Sequence, residues 1–262
     1  MKIEDEMAED MNRFNPLDLK TRTILVTGAS SGIGRATSIY LSKLGAHIVL
    51  NGRNEEQLNV TLSLLFGDGH AVCATDLTTS ENLEGLFDAA VCDGRKLDGL
   101  VHCAGIPCVM PLRVLDRKHL TEIMDSNFYS FVELIRQYSK KKYSTGGSIV
   151  GISSILSVQP RGYEAGYIAS KGAMNAAIGS LAFELAPRKI RINGILAGNI
   201  MTEMAKRTLE QFDNKEHFQE VIENSLLGLG EPDDIASVCA FLISDMSRFI
   251  TGRLIYADGG LL

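Results

Sequence analysis

Residues 27–34 read Thr-Gly-Ala-Ser-Ser-Gly-Ile-Gly and separate two segments of different periodicity. Thr23–Thr27 (TILVT) is rich in strand-forming residues, whereas apolar residues in Ile33–Leu44 recur at helical spacing. Glycines here permit a tight turn and close approach of the backbone to a phosphate, which the free N–H groups of a helix N-terminus attract. The predicted phosphate-binding turn comprises Gly28, Ser30, Ser31, Gly32, Ile33 and Gly34.

The glycine spacing alone is weak support, because it is G-x-x-x-G-x-G and not the common dinucleotide pattern G-x-G-x-x-G. A purely structural turn would use the same residues. The position of the turn, after a first strand and before a first helix, is what favours nucleotide binding.

Strand and helix patterns alternate along the rest of the chain. Further strands are predicted at His47–Leu50, Ala71–Ala74, Leu97–His102, Ser148–Ile152, Ile190–Leu196 and Leu254–Ala257. Further helices are predicted at Glu55–Phe66, Ser80–Val91, Arg117–Lys140, Gly166–Leu185, Glu203–Asn224 and Pro232–Ile243. The strands are almost continuously apolar, as expected when both faces of a parallel sheet are covered. We therefore predict one α/β domain over residues 16–262, a Rossmann-type, doubly wound, mostly parallel sheet of seven strands with helices on both faces.

Composition excludes several classes of protein. Lys and Arg number 26 against 32 Asp and Glu, a net charge of -6, which argues against a nucleic-acid partner. No apolar run approaches the ~18 residues of a membrane span. The five cysteines show no C-x-x-C spacing, so no metal site and no disulfide framework is expected. These features, with no apolar signal segment at the N-terminus, predict a cytoplasmic protein. Residues 1–15 are expected to form a flexible acidic tail.

The end of the second predicted strand indicates the cofactor. An NAD-binding fold usually places an acidic residue there for the ribose 2′-hydroxyl. The sequence instead continues Arg53-Asn54, with no acid before Glu55. Because a guanidinium suits a 2′-phosphate, Arg53 and Asn54 favour NADP(H) over NAD(H). The alternative is that Arg53 is an ordinary solvated loop residue.

Tyr167 and Lys171 share a helix face because they stand four residues apart. A nearby ammonium favours the phenolate and lowers the pKa of a tyrosine, which can then exchange a proton with a carbonyl or alcohol oxygen. A tyrosine and a lysine on the surface of a helix, without any function, would show the same spacing. Ser154, however, follows the strand Ser148–Ile152, at the carboxyl-end edge where α/β sheets bind ligands.

Taken together, Gly28–Gly34, Ser154, Tyr167 and Lys171 resemble the short-chain dehydrogenase/reductases over about residues 18–262, closest to 3-oxoacyl-[acyl-carrier-protein] reductase-like members. The resemblance implies hydride transfer between a nicotinamide and a carbonyl carbon. It gives Tyr167 the proton exchange, Ser154 the substrate oxygen, and Lys171 the nicotinamide ribose and a lowered Tyr167 pKa. Asn127 would hold a proton-relay water. Further cofactor contacts implied by the resemblance are Asp76, Leu77, Ala104, Gly105, Ile200 and Thr202.

Two departures from the family pattern stand out. His102-Cys103-Ala104-Gly105 replaces the usual N-N-A-G, and a thiol cannot reproduce the hydrogen bonds of an Asn amide. Ala197-Gly198 replaces the usual Pro-Gly, which is expected to loosen the following loop.

The substrate is left open by the sequence. Residues 199–230 are expected to form a lid whose apolar side chains either cover a substrate or only pack its helices. An acyl-thioester carbonyl substrate fits the closest resemblance. A hydroxysteroid, sugar or polyol dehydrogenase is an alternative, and a non-catalytic NADP(H)-binding sensor is another of a different class. Members of the family are usually homotetramers or dimers joined by two long helices, here near 117–140 and 166–186; packing on the sheet alone would also account for their apolar residues.

Overall fold

The computed structural model of the chain describes residues 15–91, 93–206 and 225–261. Within them a single parallel sheet holds seven strands in the order β3-β2-β1-β4-β5-β6-β7. The strands are β1 Thr23–Thr27, β2 His47–Gly52, β3 Ala71–Ala74, β4 Gly99–His102, β5 Gly147–Ser154, β6 Ile190–Ala197 and β7 Leu254–Ala257. The predicted doubly wound α/β fold is confirmed. Residues 1–14 of the predicted acidic tail lie outside the described residues.

The helices cover both faces of this sheet. They are α1 Gly32–Lys43, α2 Glu55–Leu62, α3 Ser80–Ala90, α4 Arg117–Met124, α5 Ser130–Tyr138, α6 Ala165–Leu185 and α7 Pro232–Ile243. The single helix predicted over Arg117–Lys140 is interrupted by a π-helical turn at Asp125–Tyr129. The interruption leaves no mark in the apolar periodicity, which is why the sequence did not predict it.

Two apolar cores lie on opposite sides of the sheet. Consecutive strand residues face opposite ways, so Leu25 of β1 packs with α3, α5 and α6, whereas Ile24 and Val26 pack with α1 and α7. The strands are buried on both faces, which explains their continuous apolar sequence.

The strand order changes direction between β1 and β4. Strands β2 and β3 lie on one side of β1, whereas β4 to β7 lie on the other. Thr27 and His102, the last residues of β1 and β4, are paired in register. Ligands of open α/β sheets bind in the crevice at such a switch point, beyond the carboxyl ends of the strands.

The apolar residues of the two long helical regions mostly pack within the chain. Phe128 is partly buried against the core that contains Leu25, and Phe183 is 85% exposed. The fully packed ones are Phe131, Leu134, Ile135, Met174 and Ile178. Packing on the sheet therefore accounts for most of this apolar surface.

The described residues hold neither a candidate membrane span nor a candidate metal cluster. None of their helices combines the length and apolar character needed to cross a membrane. They also contain no group of three or more His, Cys, Asp or Glu side chains arranged to hold a metal ion.

Candidate functional site

The glycine-rich turn connects β1 to α1 at the switch point. Gly28 has φ 65° and Gly32 has φ 50°, a region that side-chain-bearing residues rarely adopt. A Cβ atom on Gly28 would lie 2.8 Å from the backbone nitrogen of Ala104, and one on Gly34 would overlap the Gly28 carbonyl oxygen. The glycines therefore allow β1, α1 and the segment after β4 to approach one another.

The N-terminus of α1 is open towards the crevice. Ser31 occupies the N-cap position in an extended conformation, but its side chain makes no capping hydrogen bond. The backbone N–H of Gly32 donates instead to the Glu203 carboxylate, Oε2, at 3.2 Å. Thr202 lies over the same turn, 3.3 Å from where a Gly32 Cβ atom would stand. Sequence reasoning missed Glu203, because no local signal links position 203 to position 32.

Arg53 and Asp76 both line the crevice. Arg53 is exposed directly after β2, which ends at Gly52, two residues later than predicted. The pKa of Asp76 is lowered mainly by the Thr78 backbone N–H, which donates to Asp76 Oδ1 at 2.9 Å, and also by the charge of Arg53. Asn54 is partly engaged, since its Oδ1 accepts from Gln57 N–H and caps α2.

Arg35 is a second cation of this region that sequence reasoning missed. Its Nη2 donates to the Ser30 carbonyl and, at 3.0 Å, to Gln57 Oε1, while its Nε donates to Thr61 Oγ1 at 3.0 Å. Its place in the first turn of α1, next to Gly34, was the available signal. The guanidinium ties the glycine-rich turn to α2.

The side chains of Thr27 and His102 connect the ends of β1 and β4. Thr27 Oγ1 lies 3.0 Å from His102 Nδ1 and accepts the Ala104 N–H at 3.3 Å. Burial lowers the pKa of His102 to about 3, and the positive charge of Lys171 contributes, so this ring is neutral at pH 7. Cys103 is half-buried, and burial raises the pKa of its thiol. Position 103 thus carries a thiol that interacts with Thr37. Thr27, His102 and Ala104 make hydrogen bonds across the ends of β1 and β4.

Ser154 and Tyr167 meet at the carboxyl end of β5. Ser154 is the last residue of β5, and its Oγ accepts the Leu156 N–H at 3.2 Å. Tyr167 lies in the first turn of α6, and its hydroxyl is near enough to the Ser154 side chain to interact with it. Burial raises the pKa of Tyr167 to about 12, against the lowering effect of the Ser154 side chain.

Lys171 lies one turn further along α6 and beneath Tyr167. Its side chain is buried, and Nζ donates to the Ile152 carbonyl at 2.7 Å and lies 5.8 Å from the centre of the Tyr167 ring. Burial lowers the pKa of Lys171 to about 8. The lowering of the Tyr167 pKa expected from Lys171 is not found in the chain by itself: burial raises this pKa, and the groups that lower it are Ser154 and Arg161.

Asn127 lies in the π-helical turn and is fully buried. Its Oδ1 accepts the Ile106 N–H at 2.8 Å, and its Nδ2 donates to the Ile106 carbonyl at 3.0 Å and to Ser170 Oγ at 3.0 Å. A Cβ atom on Gly105 would stand 3.1 Å from Asn127 Oδ1 and 3.5 Å from Lys171 Nζ. The π turn therefore directs Asn127 towards the Lys171 side of the site, as such turns often do at functional sites.

The two ends of the predicted lid are joined by backbone hydrogen bonds. Met201 N–H donates to the Gly230 carbonyl at 2.8 Å, and Gly230 N–H donates to that of Asn199 at 3.0 Å. Ala197 ends β6 in register with Ser154 and Ala257, so its backbone is held on both sides. The expected loosening of the loop that follows stays a prediction. A helical segment begins at residue 203, as predicted, and residues 207–224 lie outside the described chain.

One cleft of about 720 Å³ is lined by all of the predicted site residues except Asn127. Its lining includes Gly28, Ser30, Ser31, Gly32, Ile33, Gly34, Arg53, Asn54, Asp76, Leu77, Ala104, Gly105, Ser154, Tyr167, Lys171, Ile200 and Thr202. Asn127 is the predicted site residue that does not line it, since it lies behind Gly105. Three features suit a nicotinamide dinucleotide: a helix N-terminus without its own side-chain cap for the phosphates, an exposed arginine after β2 for the ribose, and the partly buried Tyr167 beside the buried Lys171 for the reactive end.

Similar proteins agree with this arrangement. A family model described as enoyl-(acyl carrier protein) reductase matches residues 28–262. The 3-oxoacyl-[acyl-carrier-protein] reductase FabG of Rickettsia felis is 34% identical over 251 residues, 94% of this chain and 99% of that protein. A 7α-hydroxysteroid dehydrogenase solved with NADH and 7-oxo glycochenodeoxycholic acid superposes with a TM-score of 0.88 at 27% identity, covering 95% of this chain and 98% of the other. A variant of the actinorhodin polyketide ketoreductase solved with NADPH gives a TM-score of 0.86 at 27% identity, over 92% and 97%.

The chain matches these relatives over almost its full length. Its strand order and its Ser–Tyr–Lys arrangement agree with the same family. Members of the family that they identify are oxidoreductases acting on CH–OH and C=O groups with nicotinamide cofactors. This chain is a member of the short-chain dehydrogenase/reductase family.

Proposed function

We propose that the protein interconverts a carbonyl and a secondary alcohol with NADP(H), using Tyr167 as the proton donor and acceptor. The observation that carries this proposal is the contact of Tyr167 with both Ser154 and Lys171 at the wall of the cleft. The bound nicotinamide supplies or accepts the hydride. The chain has to hold the substrate oxygen and move one proton.

Ser154 and Tyr167 present two hydroxyl groups to the same point. A substrate oxygen placed between them accepts a hydrogen bond from Ser154 and exchanges its proton with Tyr167 Oη. With its pKa raised to about 12, Tyr167 is held protonated at neutral pH, which suits the donor required for carbonyl reduction. In the direction of alcohol oxidation, the same oxygen has to receive the proton, and a charged Lys171 favours the phenolate.

Lys171 and Asn127 support the return of that proton. With its pKa lowered to about 8, Lys171 exchanges a proton more readily near neutral pH than an ordinary lysine. Asn127 and Gly105 border the space beside Lys171 Nζ, where a water would connect it to solvent. A cofactor-binding sensor without turnover has no use for this proton-transfer set, which is why we favour an enzyme.

The preference for NADP(H) rests on Arg53. Its guanidinium is exposed at the end of β2, and Asp76 is the acidic residue whose pKa it affects. A 2′-phosphate would give this cation a stronger partner than a 2′-hydroxyl. Arg53→Ala should weaken NADPH binding by about tenfold or more, the scale of one charged hydrogen bond, and leave NADH binding nearly unchanged. Equal use of both cofactors by the wild type would refute the preference.

The substrate class we propose is a 3-oxoacyl thioester, because the 3-oxoacyl-[acyl-carrier-protein] reductase FabG of Rickettsia felis aligns with this chain over 99% of the FabG length. A hydroxysteroid is the second candidate, because the 7α-hydroxysteroid dehydrogenase superposes with a TM-score of 0.88. NADPH consumption at 340 nm with an acetoacetyl thioester, an oxo-bile acid, a sugar lactone and a polyol-derived ketone separates these classes. Turnover of the thioester alone supports the first candidate. Tight NADPH binding without turnover of any of them would favour the sensor.

Self-association is part of the proposal. Phe183 near the end of α6 is 85% exposed, and Phe249 is fully exposed. A Cβ atom on Gly252 would lie 3.0 Å from the Ala182 Cβ, so the segment before β7 lies beside the end of α6. Burial of both rings between copies of the chain would stabilise a dimer or tetramer. Light scattering on the wild type and on Phe183→Ser with Phe249→Ser tests this, with a smaller assembly expected for the double variant.

A further inference from the structure

The carboxylate of Glu203 lies where the fold offers a site for an anion. Its Oε2 accepts the Gly32 N–H at 3.2 Å, in the first turn of α1. The side chain of Ser31, the N-cap residue, makes no capping bond there. Unpaired N–H groups and the positive end of the helix dipole attract negative charge, and the phosphates of a dinucleotide use this same feature in the fold.

We propose that Glu203 competes with the phosphates of the cofactor for the N-terminus of α1 and thereby weakens cofactor binding. The inference rests on the proposed function only in requiring a dinucleotide in this cleft, with or without a 2′-phosphate. Glu203, Thr202 and Gly32 line the cleft together, so a bound dinucleotide and the carboxylate meet at one place.

Two physical effects of the Glu203 carboxylate both weaken cofactor binding. A dinucleotide that takes the Gly32 N–H has to displace the carboxylate, which loses its favourable interaction with the helix end. A carboxylate that stays nearby instead repels the phosphates, since both are negative and close. Either way the protein without cofactor is stabilised relative to the complex. Glu203 is exposed, so the effect is moderate and depends on salt.

The position of Glu203 connects this contact to the predicted lid. Thr202 Oγ1 accepts the Ala205 N–H at 3.1 Å and caps the helical segment that begins at residue 203. Two residues earlier, Met201 is fixed to Gly230 by its backbone. The backbone on the N-terminal side of Glu203 is therefore fixed by hydrogen bonds, which places position 203 beside the first turn of α1.

Glu203→Gln is the decisive variant. Glutamine keeps the length and an acceptor oxygen for the Gly32 N–H, but removes the charge. We expect the Kd of NADPH, measured by fluorescence or calorimetry without substrate, to fall by about two- to fivefold, the scale of one charge at a helix end. The melting temperature of the cofactor-free protein should fall by about 1–3 °C, while the rise on adding NADPH should increase.

Three controls isolate the effect. Glu184→Gln removes one exposed charge elsewhere and should leave the Kd unchanged. Adenosine 2′-monophosphate lacks the pyrophosphate, so its affinity should be the same for Glu203→Gln and wild type. The gain in NADPH affinity should shrink as salt is raised from about 0.05 M to about 0.5 M.

The outcomes separate this inference from the proposed function. If NADH binds as tightly as NADPH, the Arg53 argument fails, and the Glu203 effect is then measured with NADH. An unchanged or weaker dinucleotide Kd in Glu203→Gln, or an equal gain in Glu184→Gln, would overturn the role of Glu203 alone. If neither dinucleotide bound, both proposals would fall together.

Discussion

Lys171 Nζ lies 5.8 Å from the centre of the Tyr167 ring, while its hydrogen bond goes to the Ile152 carbonyl at 2.7 Å. The ammonium therefore faces the ring, whereas the phenol hydroxyl interacts with the Ser154 side chain. Burial acts on the two groups in opposite directions, since it disfavours the charged form of each. It lowers the pKa of Lys171 to about 8 and raises that of Tyr167 to about 12.

Replacing Tyr167 with Phe should remove most of the catalytic rate. The ring and its packing persist, but the proton exchanged with the substrate oxygen is gone, so we expect kcat to fall by about 10²–10⁴-fold. The Kd of NADPH should change little. Tyr163→Phe is the matched control, because this exposed tyrosine stands four residues earlier and should keep wild-type kcat. A Tyr167→Phe variant with near-normal kcat would refute the assignment.

Lys171 should make the stability of the cofactor-free protein rise with pH. Its folded pKa of about 8 is below the unfolded value, so the unfolded chain binds more protons between about pH 8 and pH 10.5. Urea unfolding of wild type and Lys171→Met at several pH values isolates this contribution. The stability difference, wild type minus variant, should grow across this window by at most about 3 kcal/mol. A constant difference would mean that Lys171 titrates normally.

His102 should contribute to acid destabilisation. Its folded pKa of about 3 is below the unfolded value of 6.5, so the unfolded chain binds more protons between these limits and stability falls as pH is lowered. The slope reaches at most about 1.4 kcal/mol per pH unit. His102→Asn, which does not titrate and keeps polar atoms near Thr27, should unfold with a shallower acid dependence by urea titration. Parallel acid profiles for the two proteins would count against a buried neutral ring.

Two glycine substitutions should have opposite effects. Gly34→Ala forces a methyl group into the Gly28 carbonyl oxygen. We therefore expect this variant to lose NADPH binding, and its free energy of unfolding to fall by roughly several kcal/mol. Gly85→Ala in α3 has no atom within 4 Å of the added methyl and should stabilise the protein by about 0.5–1 kcal/mol. Thermal unfolding and NADPH titration report both. Equal behaviour of the two variants would show that the turn tolerates a side chain.

The sequence by itself determined the architecture. Continuous apolar strands, helical periodicity and the glycines at 28, 32 and 34 are local features, and each is written within a window of a few residues. The Tyr167–Lys171 spacing is likewise local, because one helical turn brings the two residues together. For this reason the strand positions, the fold class and the residues lining the cleft could be predicted, with strand ends shifted by a residue or two.

Only the tertiary structure decided the features that join distant positions. Glu203 meets Gly32 across 171 positions of sequence, and Thr27 meets His102 across 75. Asn127, in the π turn, is bonded to the Ile106 backbone 21 positions away and to Ser170 43 positions away. The pKa values of Tyr167, Lys171 and His102 follow from burial, which residue type does not specify. Desolvation and long-range contacts are properties of the assembled chain, which is why local sequence could not supply them.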